Sequence, residues 1–199
     1  MNIRVDDNIA AVRRQLTRLE RKQIPFAAAK ALTMTASDAK RAIDRQLPMK
    51  LDRPTRFTMN AIAIRRATKS NQQSEVYVRP LQAQYLRYQI EGGVRKARGG
   101  GIGVPTRNAR LNKFGNIPGR RSGLIKNKRQ FIATINGVAG VWERTGGRRG
   151  VGVKLIAAFE QQVKYSKRLP FYKIAGSTAR STFGKNFVKT MNQALATAR

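Results

Sequence analysis

The sequence predicts an α+β fold, in which long N- and C-terminal amphipathic helices pack on a small antiparallel sheet and a long basic, glycine-rich loop is added. Apolar residues recur at helical spacing near both ends of the chain, and they alternate with polar residues in short central segments. Residues 92–129 combine nine Gly with eleven Lys or Arg and have no acidic residue. For a chain of 199 residues we expect one domain over 1–199.

Two helices are predicted in the first 50 residues. Residues 5–23 carry apolar side chains three and four positions apart, with arginines between them. Pro25 is expected to interrupt or restart the helix. A second helix is predicted over 26–47, and its alanines at 27–29 allow another element to approach closely. Pro48 is expected to end this second helix.

Alternating apolar and polar residues predict a first hairpin, with strands at 59–66 and 74–79 and one solvated face. Pro80 is well placed to begin a short helix over 80–91, because its missing N–H is not needed in a first helical turn. The glycine pair that follows is expected to end this helix.

A second hairpin is predicted at 131–135 and 138–142, because the two runs flank Asn136-Gly137, a strong signal for a two-residue turn. A further strand is predicted at 151–156. The last helix is predicted over 171–197, where apolar residues recur every four positions: Phe171, Ala175, Ala179, Phe183, Phe187, Met191 and Leu195.

The net charge of the chain is +31, from 41 Lys or Arg and 10 Asp or Glu. A monomer with this charge repels itself and binds anions with little specificity, so a role in solubility alone is disfavoured. The excess is uneven, because residues 1–91 carry +10 and residues 92–199 carry +21. This distribution indicates that the second part of the chain faces a polyanion or an acidic partner.

Residues 92–129 are predicted to form an extended basic loop or arm, since they offer few apolar residues to bury. Its cations can contact phosphates without reading a sequence, and docking on acidic protein accounts for them equally well. The only aromatic residue among these cations is Phe114, so base stacking by this loop is not expected. The candidate contact residues, with two from the later glycine-rich turn, are Arg95, Lys96, Arg98, Arg107, Arg110, Lys113, Arg120, Arg121, Lys126, Lys128, Arg129, Arg148 and Arg149.

The sequence favours a protein that is not an enzyme and that uses no cofactor or metal. With no Cys and no His, it excludes disulfides, thiolate catalysis, imidazole acid–base chemistry and the usual zinc sites. Asp38 and Asp44 lie on a predicted helix, where Asp38 can pair with Arg41, and Glu143 and Glu160 stand alone in the basic part. The glycines at 99–103 lack the Gly-Lys-Ser/Thr ending of a phosphate loop. No apolar run approaches the roughly 20 residues of a membrane helix, and the N-terminus has no signal-peptide core.

The order of these elements resembles the minor tail protein Z family of tailed bacteriophages and, more loosely, other tail-completion proteins. An amphipathic helix leads into an alanine-rich helix at 27–36, a basic glycine-rich middle follows, and a phenylalanine-containing helix closes the chain after Pro170. The resemblance covers about 5–47 and 130–197. It implies a virion protein without catalytic residues, which completes the tail or neck and joins head to tail in a ring around the DNA channel.

The resemblance also implies the partners. We expect a homo-oligomeric ring of six or twelve copies, neighbouring portal, adaptor or tail-tube proteins, DNA in the channel, and no membrane. The protein would be assembled in the host cytoplasm and located in the virion. The residues expected to pack between copies lie on the terminal helices: Leu16, Leu19, Phe183, Phe187 and Met191.

The alternative is a nucleic-acid-binding protein without sequence specificity, of ribosomal or nucleoid type. Such proteins share the high charge and the basic loops. Two long amphipathic terminal helices with a phenylalanine stripe favour packing between proteins instead.

Overall fold

The computed structural model of the protein describes residues 2–5, 18–117, 128–146 and 152–197. The sequence predicts one domain, whereas the chain divides into two compact units. We call Met1–Ile90 together with Lys167–Arg199 the helical unit, and Glu91–Ser166 the strand unit. The division follows from the strand pairing, because the strands of the strand unit pair only with one another among the described residues.

Within the described ranges the chain forms four helices: α1 (Arg18–Lys50), α2 (Arg56–Met59), α3 (Pro80–Glu91) and α4 (Phe171–Ala196). It also forms nine strands: β1 (Asn2–Val5), β2 (Ile62–Arg65), β3 (Ser74–Val78), β4 (Gly93–Lys96), β5 (Ile102–Pro105), β6 (Gln130–Ile135), β7 (Val138–Thr145), β8 (Gly152–Glu160) and β9 (Gln162–Tyr165). The predicted α+β class with long helices near both ends is confirmed.

The helical unit packs α1 and α4 against a three-stranded antiparallel sheet with the strand order β1-β3-β2. The two helices run antiparallel, since Thr35 of α1 contacts Asn186 of α4 and Ala27 contacts Thr190. Small buried residues on both helices allow this close approach. The main core consists of Ala36, Ala39, Ile43, Leu47, Ala61, Ile62, Val76, Val78, Leu86, Ile90, Leu169, Phe171 and Ala175.

The N-terminal helix prediction is wrong at its first residue. Val5 lies on β1 and pairs with Ser74 of β3, residues 6–17 lie outside the described part, and α1 is described from Arg18. The periodicity of 5–23 could not reveal a strand partner that lies some 70 residues away in sequence.

The predicted break at Pro25 is also wrong, because α1 continues through Pro25 and ends at Lys50, beyond Pro48. A proline inside a helix costs about 3 kcal/mol. Tertiary packing offsets this cost, since Ile24 and Ala28 are buried against Phe187 and Met191 of α4.

The strand unit contains a two-stranded sheet, β4-β9, and a four-stranded antiparallel sheet with the order β5-β8-β7-β6. Its small core is formed by Val141, Ile156 and Ala157 with Ala109, Ile117 and Phe159 packed against them. The second hairpin is confirmed: Asn136 and Gly137 both have positive φ, as a two-residue turn of this kind requires, and Ile135 pairs with Val138.

The prediction of an unstructured loop over 92–129 is wrong for its first part, because β4 and β5 lie within it. Gly93 pairs with Tyr165 and Ile102 with Glu160, so the backbone of this stretch is ordered by strands that come more than 50 residues later. The glycine directly before β5 allows its close approach to β8. Gly101 has φ +107°, and a Cβ there would lie 2.8 Å from the Cβ of Phe159.

Candidate nucleic-acid and partner interface

The predicted contact cations that the structure describes are all exposed and all lie in the strand unit. Arg95 and Lys96 lie on β4, while the others occupy the connections around β5 and the turn before β6: Arg98, Arg107, Arg110, Lys113, Lys128 and Arg129. The remaining predicted cations lie outside the described residues: Arg120, Arg121, Lys126, Arg148 and Arg149.

The cations of the strand unit are poorly matched by carboxylates. Its sequence holds 16 Lys or Arg and three Glu. Between described residues of this unit, the one ion pair joins Lys154 Nζ to Glu143 Oε1 at 2.9 Å. Seven of the exposed cations pair with no carboxylate in the described ranges: Arg95, Lys96, Arg98, Arg107, Arg110, Lys113 and Lys128. Such a surface attracts polyanions.

Glu143 is held as an anion by its neighbours in the sheet. Lys154 donates to one carboxylate oxygen, and Gln130 Nε2 donates to the other at 2.8 Å. These hydrogen bonds, first that of Lys154 and then that of Gln130, lower the pKa of Glu143, and the nearby charges of Lys154 and Arg110 lower it further. Glu143 therefore acts as a cross-strand ion-pair partner.

The two aspartates considered in the sequence, Asp38 and Asp44, form ion pairs along α1. Asp44 accepts from Lys40 at 2.5 Å, and Asp38 accepts from Arg41 and from Asn186. The predicted pair of Asp38 with Arg41 is thus present. Among the residues that the structure describes, no three acidic side chains come together where they could hold a metal ion.

The hairpin brings together three side chains that the sequence analysis did not combine. Phe131 on β6 lies opposite Trp142 on β7, and the guanidinium carbon of Arg144 lies 4.8 Å from the centroid of the Phe131 ring. The indole Nε1 of Trp142 donates to the carbonyl oxygen of Ala133 at 3.1 Å. The signal was present in the sequence, because a two-residue turn at Asn136-Gly137 fixes this register.

Some of the residues expected to pack between copies make contacts within the helical unit of their own chain. The rings of Phe183 and Phe187 stack with centroids 6.0 Å apart, and Phe187 and Met191 pack against Ile24 and Ala28 of α1. Leu16 and the side chain of Leu19 lie outside the described part. Packing between copies through this stripe stays a prediction.

The described helices include none that is both long and apolar enough to cross a membrane. No family model matches the chain, and no curated protein or solved structure does so either.

Proposed function

We propose that this chain is a structural protein of a tailed bacteriophage virion, which completes the tail or neck and joins head to tail in a homo-oligomeric ring around the DNA channel. Its neighbours in that position are portal, adaptor or tail-tube proteins. The proposal starts from the order of sequence elements and from the charge of +31.

The observation that carries the proposal is that the two units differ in how their charged side chains are paired. The helical unit has a core made from both ends of the chain, and it holds four of the five ion pairs found between described residues. The strand unit instead presents exposed cations that pair with no described carboxylate. A ring brings many such surfaces together, so the cost of repulsion between copies must be offset by DNA or by acidic neighbouring proteins.

A second candidate is a cellular protein that binds nucleic acid without sequence specificity. The unmatched cations of the strand unit favour it equally, because phosphate contacts need only exposed Lys and Arg. The long antiparallel pair of α1 and α4 does not discriminate by itself, since its described contacts stay within one chain.

The composition of purified phage particles separates the two candidates. Peptides from this chain are expected in particles of the phage that encodes it, at a constant number of copies per particle. If the particles lack the chain while it copurifies with host nucleic acid, the virion assignment is wrong and the second candidate replaces it.

The oligomeric state gives an independent test. Light scattering after size exclusion at high salt, where repulsion between copies is screened, is expected to give a closed oligomer. A monomer at every salt and protein concentration, also in the presence of short DNA, would argue against ring formation.

A further inference from the structure

Besides the exposed cations, the strand unit carries an aromatic cluster on one face of its four-stranded sheet. We propose that this face, formed by Phe131, Trp142 and Arg144, stacks the unpaired bases of single-stranded nucleic acid. The inference does not depend on the virion assignment, because it concerns only the ligand of this sheet face.

The two faces of the sheet differ in what they carry. Val141 is fully buried in the core of the strand unit, in the cluster against which Ile117 and Phe159 pack. Because side chains alternate along a strand, Trp142 and Arg144 project from the opposite face, as does Phe131 through its pairing with Trp142. Phe131 and Trp142 are only partly buried, and Arg144 is exposed.

The geometry of the cluster leaves planar groups available for stacking. The indole N–H of Trp142 is already bonded to the carbonyl oxygen of Ala133 at 3.1 Å, so this partly buried ring has no further donor and would contact a base through its π-system. The guanidinium of Arg144 lies 4.8 Å from the centroid of the Phe131 ring, and its outer side can receive a base. One base on Trp142 and one on the Arg144–Phe131 pair is the arrangement we infer.

The charges around the cluster suit a phosphate backbone. Arg129 and Lys128 are exposed and lie at the same end of the hairpin as Arg144, whose backbone N–H donates to the carbonyl oxygen of Arg129 at 3.0 Å. Glu143 projects from the other face, where Lys154 holds it. The other described glutamate of the sheet, Glu160, lies at the far end of β8 and pairs with the β5 edge.

A duplex and an acidic protein fit this face less well. The bases of a duplex are stacked inside it and are not available to an aromatic side chain, whereas single strands expose them. An acidic peptide would engage the surrounding cations, but its carboxylates would gain nothing from the rings of Phe131 and Trp142. Stacking on aromatic side chains tolerates any base, which agrees with binding that does not read a sequence.

The fluorescence of Trp142 tests the proposal directly, because it is the one tryptophan of the chain. The intact protein is titrated with an oligothymidylate of about 20 nucleotides, with a duplex of equal length, and with an abasic phosphodiester of equal length. We expect saturable quenching by the oligothymidylate, and at least about tenfold tighter binding of it than of the abasic strand. Equal affinity for the two single strands, with unchanged Trp142 emission, would overturn base stacking.

Variants separate stacking from charge. Arg144→Ala and Arg95→Ala remove the same charge, but Arg95 lies on β4 in the other sheet. Arg95→Ala should weaken the binding of oligothymidylate and of the abasic strand by the same factor. Arg144→Ala should weaken the binding of the abasic strand by that factor and the binding of oligothymidylate by about tenfold more. Phe131→Leu should weaken the binding of oligothymidylate alone, by about tenfold. Equal effects of the two arginine variants on both ligands would contradict the proposal.

Two further measurements need no variant. Polyglutamate of matched charge should bind without quenching Trp142. Quenching as strong as that by oligothymidylate would show that the signal does not need bases, and it would overturn the proposal. If purified phage particles do not contain this chain, the proposed function is refuted, but the result on base stacking is unchanged.

Discussion

Adding one methyl group at Gly140 should destabilise the strand unit strongly. Gly140 is buried on β7 between Ala133 of β6 and Ala158 of β8. A Cβ at this position would lie 2.3 Å from the carbonyl oxygen of Ala157 and 2.8 Å from Cδ1 of Leu155. Ordinary non-bonded contacts are about 3.5–4.0 Å, so these neighbours must move by roughly 1 Å.

The two neighbours differ in their ability to move. Leu155 can change its side-chain rotamer, but the Ala157 carbonyl is backbone at the register shift between β7 and β8, and it moves only if the strand pairing is disturbed. Overpacking of this kind costs about 1–3 kcal/mol, and weakening one ladder hydrogen bond costs about 0.5–1.5 kcal/mol. We therefore expect Gly140→Ala to lower the free energy of unfolding by about 2–4 kcal/mol.

Unfolding in guanidinium chloride, followed by the fluorescence of Trp142, measures this loss where it occurs, since Trp142 lies on the same strand as Gly140. Gly100→Ala is the matched control, because a Cβ at Gly100 would have no atom within 4 Å. The control should change the free energy of unfolding by less than about 0.5 kcal/mol. A Gly140→Ala protein as stable as this control would refute the close packing of β7 on β8.

Three further changes probe the helical unit and the sheet. Gly184→Ala should stabilise α4 by about 0.5–1 kcal/mol in thermal unfolding followed by circular dichroism, because its Cβ meets no atom within 4 Å and glycine is unfavourable inside a helix. Thr190→Val should cost about 1 kcal/mol in urea unfolding, because the buried hydroxyl donates to the carbonyl oxygen of Ala27 at 2.9 Å. The pKa of Glu143 lies below its ordinary value, chiefly through the hydrogen bond from Lys154, so its stabilising contribution is present above the ordinary carboxyl pKa and is lost as the pH falls through the lowered pKa. Acid unfolding of Glu143→Gln, followed by Trp142 emission, should lack this part of the pH dependence.

Each of these changes has an outcome that would contradict it. A destabilised Gly184→Ala protein would mean that α4 is not a regular helix at this position. Unchanged stability of Thr190→Val would mean that its hydroxyl makes no useful bond to α1. Identical acid unfolding of the wild type and Glu143→Gln would mean that the Lys154 pair does not stabilise the sheet.

Local signals in the sequence predicted those elements whose cause is local. Asn136-Gly137 fixed the second hairpin and its register, and Pro80 marked the start of α3. The phenylalanine stripe predicted the last helix over 171–197, close to its observed span of Phe171–Ala196. The first hairpin was also found, with strands that are shorter than predicted, at Ile62–Arg65 and Ser74–Val78.

The failures concern elements whose partners are distant in sequence. β4 and β5 lie in a glycine-rich stretch that has little strand character of its own, and they are ordered by β9 and β8. Val5 is placed in a strand by Ser74, and α1 passes through Pro25 because Ile24 is buried against α4. Local periodicity contains no information about such partners.

The candidate site was predicted in part. The sequence located the exposed cations of the strand unit, because charge is visible without a fold. It does not reveal the combination of Phe131, Trp142 and Arg144, because Arg144 lies beyond the predicted strand at 138–142 and meets Phe131 only where β7 continues to Thr145. The sequence argues against base stacking only for the loop at 92–129, where Phe114 is the one aromatic residue.

Imaging of the assembled phage particle at side-chain resolution tests the central proposal most directly. The proposal predicts a ring at the head–tail junction in which the antiparallel pair of α1 and α4 recurs in every copy, with the strand unit facing DNA or an acidic neighbouring protein. A complete particle in which every ring at that junction is built from other chains would contradict it.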